Sequence, residues 1–404
     1  MSFKVFDSQI QFPATQLDAF NRLKVSAAYT QFEGMHLYGG ADPQGYVQTV
    51  ANGGTIAYLP NEASWNLAVT TTSGSLARVQ TKEYFTYHPG KSQLIIMTGV
   101  LGDQQANTVK RIGYFDANDG IFFVQDGENG LGVGIRSSTS GTPQDTIIYQ
   151  ADWSADKMDG TGKSGLSVNV ANAQIFLMDF QWLGVGTVRF GFEIDGQLYL
   201  CHQANHANKL DKVYMKSATL PLRYEIVNTG TAAAPAELKS ICSTVISEGA
   251  EQAYGYVYAT PNSTPVTVAT GVWTPVVSVK ANTTLNGYVN RGTYLIQSLE
   301  IFVDGNQPMA FALYENANTT TPTWVSMGAN TALEYDLTAA TMNVATPTSI
   351  RRLMSFVPNG QKESIIVNPA ELLRGVANTE FTLAALGLSG SSTVRAAINV
   401  REIL

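Results

Sequence analysis

Two clusters in this sequence contain side chains that bind metal ions. His202 and His206 are four residues apart, a spacing that puts two imidazoles on one face of a helix. Instead, the strand that ends at His202 leads into the polar loop QANHANKLD, which contains His206, and no third ligand is clear. We therefore expect both histidines to lie at the surface. Asp116 and Asp119 resemble the start of a calcium loop, whose twelfth position is here Gly127 instead of an acid. The sequence predicts hydrogen-bonded turns and no metal or cofactor site, with a structural calcium ion as the alternative.

Trp153 and Asp156 are the best candidates for contact with a ligand. Both lie in the polar run QADWSADKMDG, where an indole ring could be exposed and stack on a sugar. The alternative is that Trp153 anchors the core, as most tryptophans in β-sandwiches do, and that Asp156 caps a turn. We predict a glycan contact at these two residues. Trp182, inside the apolar run IFLMDFQWLGVG, is expected to be buried.

The run GTGKSG, residues 160–165, matches the end of a phosphate-binding loop. The first glycine of that motif would fall at Lys157, and the preceding QADWSAD is a poor buried strand. We therefore predict a glycine-rich turn without a nucleotide. No GxSxG motif occurs, and the acidic residues are spread over turns. The sequence predicts no catalytic residue and no enzyme, although a carboxylate pair formed in space is invisible in a sequence.

Composition restricts the class of protein. The 404 residues are 44% hydrophobic and only 14% charged, with a net charge of -7. Such a chain favours strands and shows no basic stripe, so we expect no nucleic-acid partner. Neither a signal peptide nor an apolar run of about 20 residues is present, which predicts synthesis in the cytoplasm without membrane insertion. Cys201 and Cys242 are expected to be buried thiols.

Strand-like runs and turns predict an all-β chain of two antiparallel β-sandwiches. The expected organisation is a leader or anchor at residues 1–35, a first sandwich at 36–254 and a second at 255–404. In TVRFGFEIDGQLYLCH the apolar side chains alternate before Asp195-Gly196, which predicts a hairpin with a type I′ turn. His88 to Lys91 is expected to join two strands. One short helix is predicted at residues 369–374.

From Thr81 to Glu248 the chain resembles a family of bacteriophage virion structural proteins. The resemblance rests on YHPGKSQLIIMTGVLG, KRIGYFDANDGIFF, QIFLMDFQWLGVGTVRFGFEIDG and LPLRYEIVNTGT. TWVSMGANTALEYDL is similar to the C-terminal domain of related tail and head-surface proteins. The VRFGFEIDG hairpin also resembles concanavalin-like jelly-roll domains, which implies a lectin-like first sandwich.

The resemblance implies a non-enzymatic structural component of the virion, in the tail or baseplate or as a surface fibre. Its expected partners are other virion proteins, further copies of itself in a homotrimer, and a host surface glycan. Two alternatives remain open. One is a carbohydrate-binding or carbohydrate-degrading tailspike or lectin, and the other is a double jelly-roll capsid protein.

Overall fold

The computed structural model describes residues 26–37, 39, 45–249, 255–261, 264–346, 349–366 and 373–404. These residues form strands and one short 3-10 helix, Gln150–Asp152, and contain no α-helix. Within them, no helix has the length and apolar character that crossing a membrane requires. The prediction of an all-β chain built from antiparallel sandwiches is confirmed. The predicted helix at 369–374 lies mostly outside the described residues, and Arg374–Gly375 forms a short strand.

Two antiparallel sheets face each other to form the first sandwich. The eight-stranded sheet has the order β13-β12-β11-β6-β15-β4-β3, with β1 paired to β15. Its strands are β1 (Ala28–Met35), β3 (Thr55–Leu59), β4 (Ser64–Val69), β6 (Gln93–Val100), β11 (Gln174–Phe180), β12 (Thr187–Ile194), β13 (Gln197–Asn205) and β15 (Ala236–Glu248). The seven-stranded sheet, ordered β10-β9-β8-β7-β14-β5-β2, comprises β2 (Tyr46–Ala51), β5 (Leu76–Thr81), β7 (Thr108–Phe115), β8 (Gly120–Asp126), β9 (Gly130–Ser137), β10 (Gln144–Tyr149) and β14 (Leu222–Asn228).

The second sandwich packs two six-stranded antiparallel sheets. The first has the order β16-β29-β21-β26, with β17 on β29 and β27 on β21, and the second has the order β23-β24-β18-β28-β22-β25. The strands of the first are β16 (Tyr256–Ala259), β17 (Val266–Val268), β21 (Thr293–Val303), β26 (Lys362–Ile366), β27 (Arg374–Gly375) and β29 (Ser392–Ile403). Those of the second are β18 (Thr274–Ala281), β22 (Met309–Glu315), β23 (Val325–Ser326), β24 (Leu333–Asp336), β25 (Ile350–Val357) and β28 (Glu380–Gly387). A separate ribbon pairs β19 (Thr284–Leu285) with β20 (Tyr288–Val289).

Each sandwich has its own hydrophobic core. The first core joins side chains between Tyr46 and Val245, and the second joins side chains between Val268 and Val400. The predicted boundary at residues 254 and 255 adjoins 250–254, which lie outside the described residues, so the domain limits stay a prediction. The predicted leader lies outside them up to residue 25. Its later part forms β1, which hydrogen-bonds to β15.

Local sequence accounts for the β12–β13 hairpin. Asp195 and Gly196 both have positive φ, 53° and 74°, as a type I′ turn requires, and Ile194 pairs with Gln197. The alternating residues Phe190 and Phe192 are buried in the first core. The segment before His88 differs from expectation. Phe85 makes only an isolated bridge to Leu220, so the turn at 88–91 leads into β6 without a preceding strand.

Charged contacts join the two sandwiches. Arg291 of the second donates from Nε and Nη2 to Asp116 Oδ2 of the first, at 3.0 and 2.7 Å. Arg374 forms an ion pair with Glu83. Lys216 Nζ lies 4.4 Å from the centre of the Tyr288 ring. Since Asp116 is only 3% exposed, removing Arg291 would leave a buried carboxylate without its main cation.

His36 should make the first sandwich sensitive to acid. Its imidazole stacks on Trp65 at 4.0 Å, and its Nε2 lies 2.9 Å from Ser240 Oγ. Burial lowers the pKa of His36 from 6.5 to about 4. The unfolded chain therefore binds the proton first, and stability present above pH 6.5 is lost as the pH falls toward 4. Protonation of His36 therefore lowers the free energy of unfolding by about 3 kcal/mol at most. Urea unfolding at pH 7 and pH 4 should show a smaller loss in His36→Gln than in the unsubstituted protein, whereas equal losses would contradict this prediction.

Candidate functional site

The outer face of the seven-stranded sheet, turned away from the first core, carries an unusual set of charged and aromatic side chains. Strand alternation places these side chains together because β10, β9, β8, β7, β14 and β5 are neighbours in this order. We call this set the arginine face. It consists of Arg78, Arg111, Phe115, Phe122, Arg136, Asp145, Arg223 and Glu225.

Two phenylalanine rings form the floor of the arginine face. Phe115 and Phe122 have no exposed area, although they lie outside the main core and pack in a small cluster of their own. Guanidinium groups cover them. The Arg136 guanidinium lies 5.5 Å from the Phe115 ring centre and 5.7 Å from that of Phe122. Arg111 lies 5.5 Å from Phe122, and Arg223 lies 4.9 Å from Phe115, so each ring carries two cation–π contacts.

Glycines allow the Phe122 ring to lie flat on the sheet. Gly113 and Gly134 are its register partners on the two neighbouring strands. A Cβ atom at Gly134 would lie 2.4 Å from Phe122 Cε2, and one at Gly113 would lie 2.6 Å from Phe122 Cβ. A side chain at Gly134 would displace the ring, whereas one at Gly113 would clash with the backbone of β8, since its Cβ atom would lie 2.4 Å from the Ile121 carbonyl oxygen. The guanidinium layer above it depends on this backbone approach.

Two carboxylates hold the guanidiniums in place. Arg136 donates from Nε to Asp145 Oδ1 at 2.7 Å and from Nη2 to Oδ2 at 2.9 Å, a bidentate pair. Arg111 bridges Asp145 and Glu225, with nitrogen–oxygen distances of 3.4 and 3.3 Å. Arg223 lies 3.5 Å from Glu225 and donates from Nε to the amide oxygen of Gln80 at 2.9 Å. The arginines are thus held by groups of the protein itself.

The arginine face has an excess of positive charge in an otherwise acidic chain. Arg78 also pairs with Glu225, at 3.7 Å, so four guanidiniums share two carboxylates. Asp126, at the end of the same face, accepts hydrogen bonds from the Tyr149 hydroxyl and from the backbone N–H of Glu128 in the turn that follows. When Asp126 is counted, four guanidiniums face three carboxylates; Asp116, whose charge also acts on Arg136 and Arg223, is paired with Arg291. The whole chain, by contrast, has 25 basic and 32 acidic residues.

Burial affects the arginines of the face differently. It lowers the pKa of Arg223 to about 10, against the opposing charge of Glu225, so this guanidinium is still protonated near neutral pH. Burial alone would also lower the pKa of Arg136. The hydrogen bonds and charge of Asp145 outweigh it, and the net pKa of Arg136 is raised. The face therefore keeps its positive charge at neutral pH.

Trp153 does not offer the exposed ring that we expected. It is only 4% exposed, packs 6.1 Å from the Phe192 ring and donates its Nε1–H to the Ile148 carbonyl at 3.1 Å. The expectation was wrong because the polar neighbours of Trp153 in sequence do not surround its ring in space. Asp156 caps the GTGKSG turn by accepting the backbone N–H groups of Met158 and Ser164. A glycan contact at this pair lacks the stacking surface that it needs.

The acidic turns are hydrogen-bonded as expected. Asp116 Oδ1 accepts the backbone N–H groups of Asn118 and Asp119, and Asp159 Oδ1 accepts that of Thr161. No group of three or more His, Cys, Asp or Glu side chains that could hold a metal ion occurs in the part of the chain that the structure describes.

The histidines and cysteines differ in part from expectation. His202 is buried in β13 and accepts the Ser154 backbone N–H at Nδ1, whereas His206 stacks on Tyr214. Calling His202 a surface residue was therefore wrong. Cys201 is buried and Cys242 half-buried, both as free thiols. Trp182, expected to be buried, is half-buried and donates to the Met215 carbonyl.

Sequence reasoning did not identify the arginine face. A signal is present, because KRIGYF, GVGIRS and LRYEI each alternate core residues with charged or glycine positions. The order of the strands could not be read from that alternation.

Comparison with known proteins gives similarities of fold. No family model matches the chain, and no curated protein matches it. Similar solved structures include a glycoside hydrolase family protein from Mycobacterium thermorestibile, with 11% identity, 53% of this chain and 99% of that chain covered, and a TM-score of 0.37. The Emp47p carbohydrate recognition domain has 11% identity, coverage of 59% and 100%, and a TM-score of 0.34. A legume lectin-like domain from Entamoeba histolytica has 8% identity, coverage of 50% and 89%, and a TM-score of 0.29. Such values assign no function to this chain.

Gly134→Ala should destabilise the first sandwich. The added methyl group must push the Phe122 ring out from under its guanidiniums, a cost of about 1–3 kcal/mol for overpacking. Chemical denaturation would measure the loss. Gly328→Ala is the control, because a Cβ atom there meets its nearest neighbour, Thr331 Cγ2, at an ordinary 3.6 Å. Equal stability of the two variants would show that the close approach at Gly134 is unimportant.

Proposed function

We propose that the chain is a non-enzymatic binding protein whose arginine face recognises an acidic saccharide. The observation that carries this proposal is the preorganised layer of guanidiniums with excess positive charge on an otherwise acidic chain. Guanidinium groups match the planar geometry of carboxylates, sulfates and phosphates better than ammonium groups do. An acidic sugar would bind to nitrogens that are already oriented, so little side-chain entropy is lost on binding.

The carboxylates of the face favour binding over hydrolysis. A glycoside hydrolase needs one carboxyl group that delivers a proton to the leaving oxygen. Asp145 accepts from Arg136 and Arg111, and Glu225 lies within ion-pair distance of three arginines. Both groups hold arginines in position, so we assign them no catalytic role.

We further propose, from the sequence resemblance, that this protein is a structural component of a bacteriophage virion, in the tail or baseplate or as a surface fibre. Binding of an acidic host glycan would then contribute to attachment. The docking of the two sandwiches through Arg291 and Arg374 supports a stiff building block rather than two loosely linked modules. Labelling purified particles with antibodies against the protein tests this placement. Particles without label would argue against it.

Arg111→Gln combined with Arg136→Gln should weaken binding to acidic glycans. Each lost charge-assisted hydrogen bond is worth about 1.5–3 kcal/mol, or roughly tenfold to a hundredfold in affinity. A glycan array should show acidic ligands for the unsubstituted protein, with binding that falls as salt is added.

The matched control for this experiment is Arg189→Gln. Arg189 forms an ion pair with Asp179 on the other sheet of the same sandwich and is half exposed. This variant should bind as the unsubstituted protein does. Binding of neutral glycans alone, or unchanged acidic-glycan binding in the double variant, would refute the assignment of the arginine face.

The proposed homotrimer can be tested by mass. Viral fibres commonly close by cyclic symmetry, and we expect the purified protein to have three times the monomer mass of 43.5 kDa. Light scattering coupled to size exclusion would measure it. A stable monomer across the accessible concentration range would exclude the trimer.

A further inference from the structure

A cavity lies between the two sandwiches, away from the arginine face. It has a volume of about 460 Å³, within the range of roughly 300–1,000 Å³ that ligand sites occupy. We call it the interdomain cleft. Residues of β1 and of the segment after β5 line one side, and residues of β22, β25 and the β27 region line the other. The lining includes two aromatic and six charged side chains.

The charges of the interdomain cleft are balanced. Three cations, Lys82, Arg352 and Arg374, face three carboxylates, Glu33, Glu83 and Glu315. Arg374 pairs with Glu83 across the interface, and Arg352 pairs with Glu315 within the second sandwich. A strongly charged ligand would meet as much repulsion as attraction here. The cleft therefore differs in its electrostatics from the arginine face.

One ion pair leaves both a donor and an acceptor for a ligand. Arg352 donates from Nε, at 2.8 Å, and from Nη2 to the same oxygen of Glu315, Oε2. Arg352 Nη1 and Glu315 Oε1 make no hydrogen bond within the described residues, and neither atom is sealed off from solvent. A hydroxyl group both donates and accepts, so it can bind to two such atoms side by side.

Aromatic side chains complete the chemistry of the cleft. Tyr29 is 39% exposed and Phe32 is half-buried, both on β1. Aromatic rings pack against apolar faces while polar neighbours bind hydroxyl groups, a combination suited to a sugar ring.

We propose that the interdomain cleft is a second binding site, which takes a neutral, hydroxyl-rich saccharide. Arg352 and Glu315 bind its hydroxyl groups, and Tyr29 packs on a ring face. Because the wall of the cleft comes from both sandwiches, an occupant would bridge them. Binding should therefore reinforce the Arg374–Glu83 contact and oppose separation of the sandwiches.

The test uses the full chain and four neutral probes: glucose, galactose, mannose and N-acetylglucosamine. Crystals soaked in each sugar at high concentration should show density in the cleft for at least one of them, and saturation-transfer NMR should show the same sugar binding in solution. Arg352→Gln combined with Glu315→Gln should reduce that binding at least tenfold, and Arg352→Lys, which keeps the charge but loses the planar donors, should also weaken it. Arg395→Gln, which alters the exposed pair with Asp304 elsewhere on the second sandwich, should bind normally.

Failure of this proposal is distinguishable from failure of the arginine face. The Arg111→Gln/Arg136→Gln variant should keep neutral-sugar binding in the cleft while it loses acidic-glycan binding. Absence of cleft density with all four sugars overturns the proposal. Binding that survives in the folded Arg352→Gln/Glu315→Gln variant, with its thermal midpoint unchanged, also overturns it.

Discussion

The stacking of guanidiniums on two buried phenylalanine rings is the interaction on which the proposed binding surface depends. Phe115 and Phe122 point away from the main core, where an apolar ring would normally be exposed to water. Three arginines cover them, and Asp145 and Glu225 fix those arginines by ion pairs. Buried charges are costly unless they are paired, so the arginines and carboxylates of the face stabilise one another.

The arginine face is also connected to the second sandwich by hydrogen bonds through Asp116. Asp116 lies in the turn between β7 and β8, at one end of the arginine face. Its carboxylate accepts from Arg291 of the second sandwich, and its backbone carbonyl accepts from Arg136 Nη1 of the face, at 3.0 Å. The same turn thus contacts both the candidate site and the domain interface. Asp116 therefore links Arg136 of the face to Arg291 of the second sandwich.

Short-range sequence patterns predicted much of the fold, whereas the arginine face depends on contacts between residues that are far apart in the chain. The Asp195-Gly196 hairpin and the strands of the second sandwich follow from turn residues and alternation, which act over a few positions. The prediction of an exposed Trp153 ring failed because it used only the polar neighbours in sequence. Phe192, which packs on the ring from β12, is about 40 residues away in the chain. The arginine face was missed because β14 follows β7 by about a hundred residues and still lies beside it. Only the order of the strands brings Arg111 next to Glu225.

Hydrogen–deuterium exchange with and without an acidic oligosaccharide can locate the binding surface. If the guanidinium layer on the seven-stranded sheet is that surface, the ligand should slow exchange in peptides from β7, β9, β10 and β14, with little change in the eight-stranded sheet. Protection confined to the eight-stranded sheet or to the second sandwich, or no protection by a ligand that binds, would contradict this assignment.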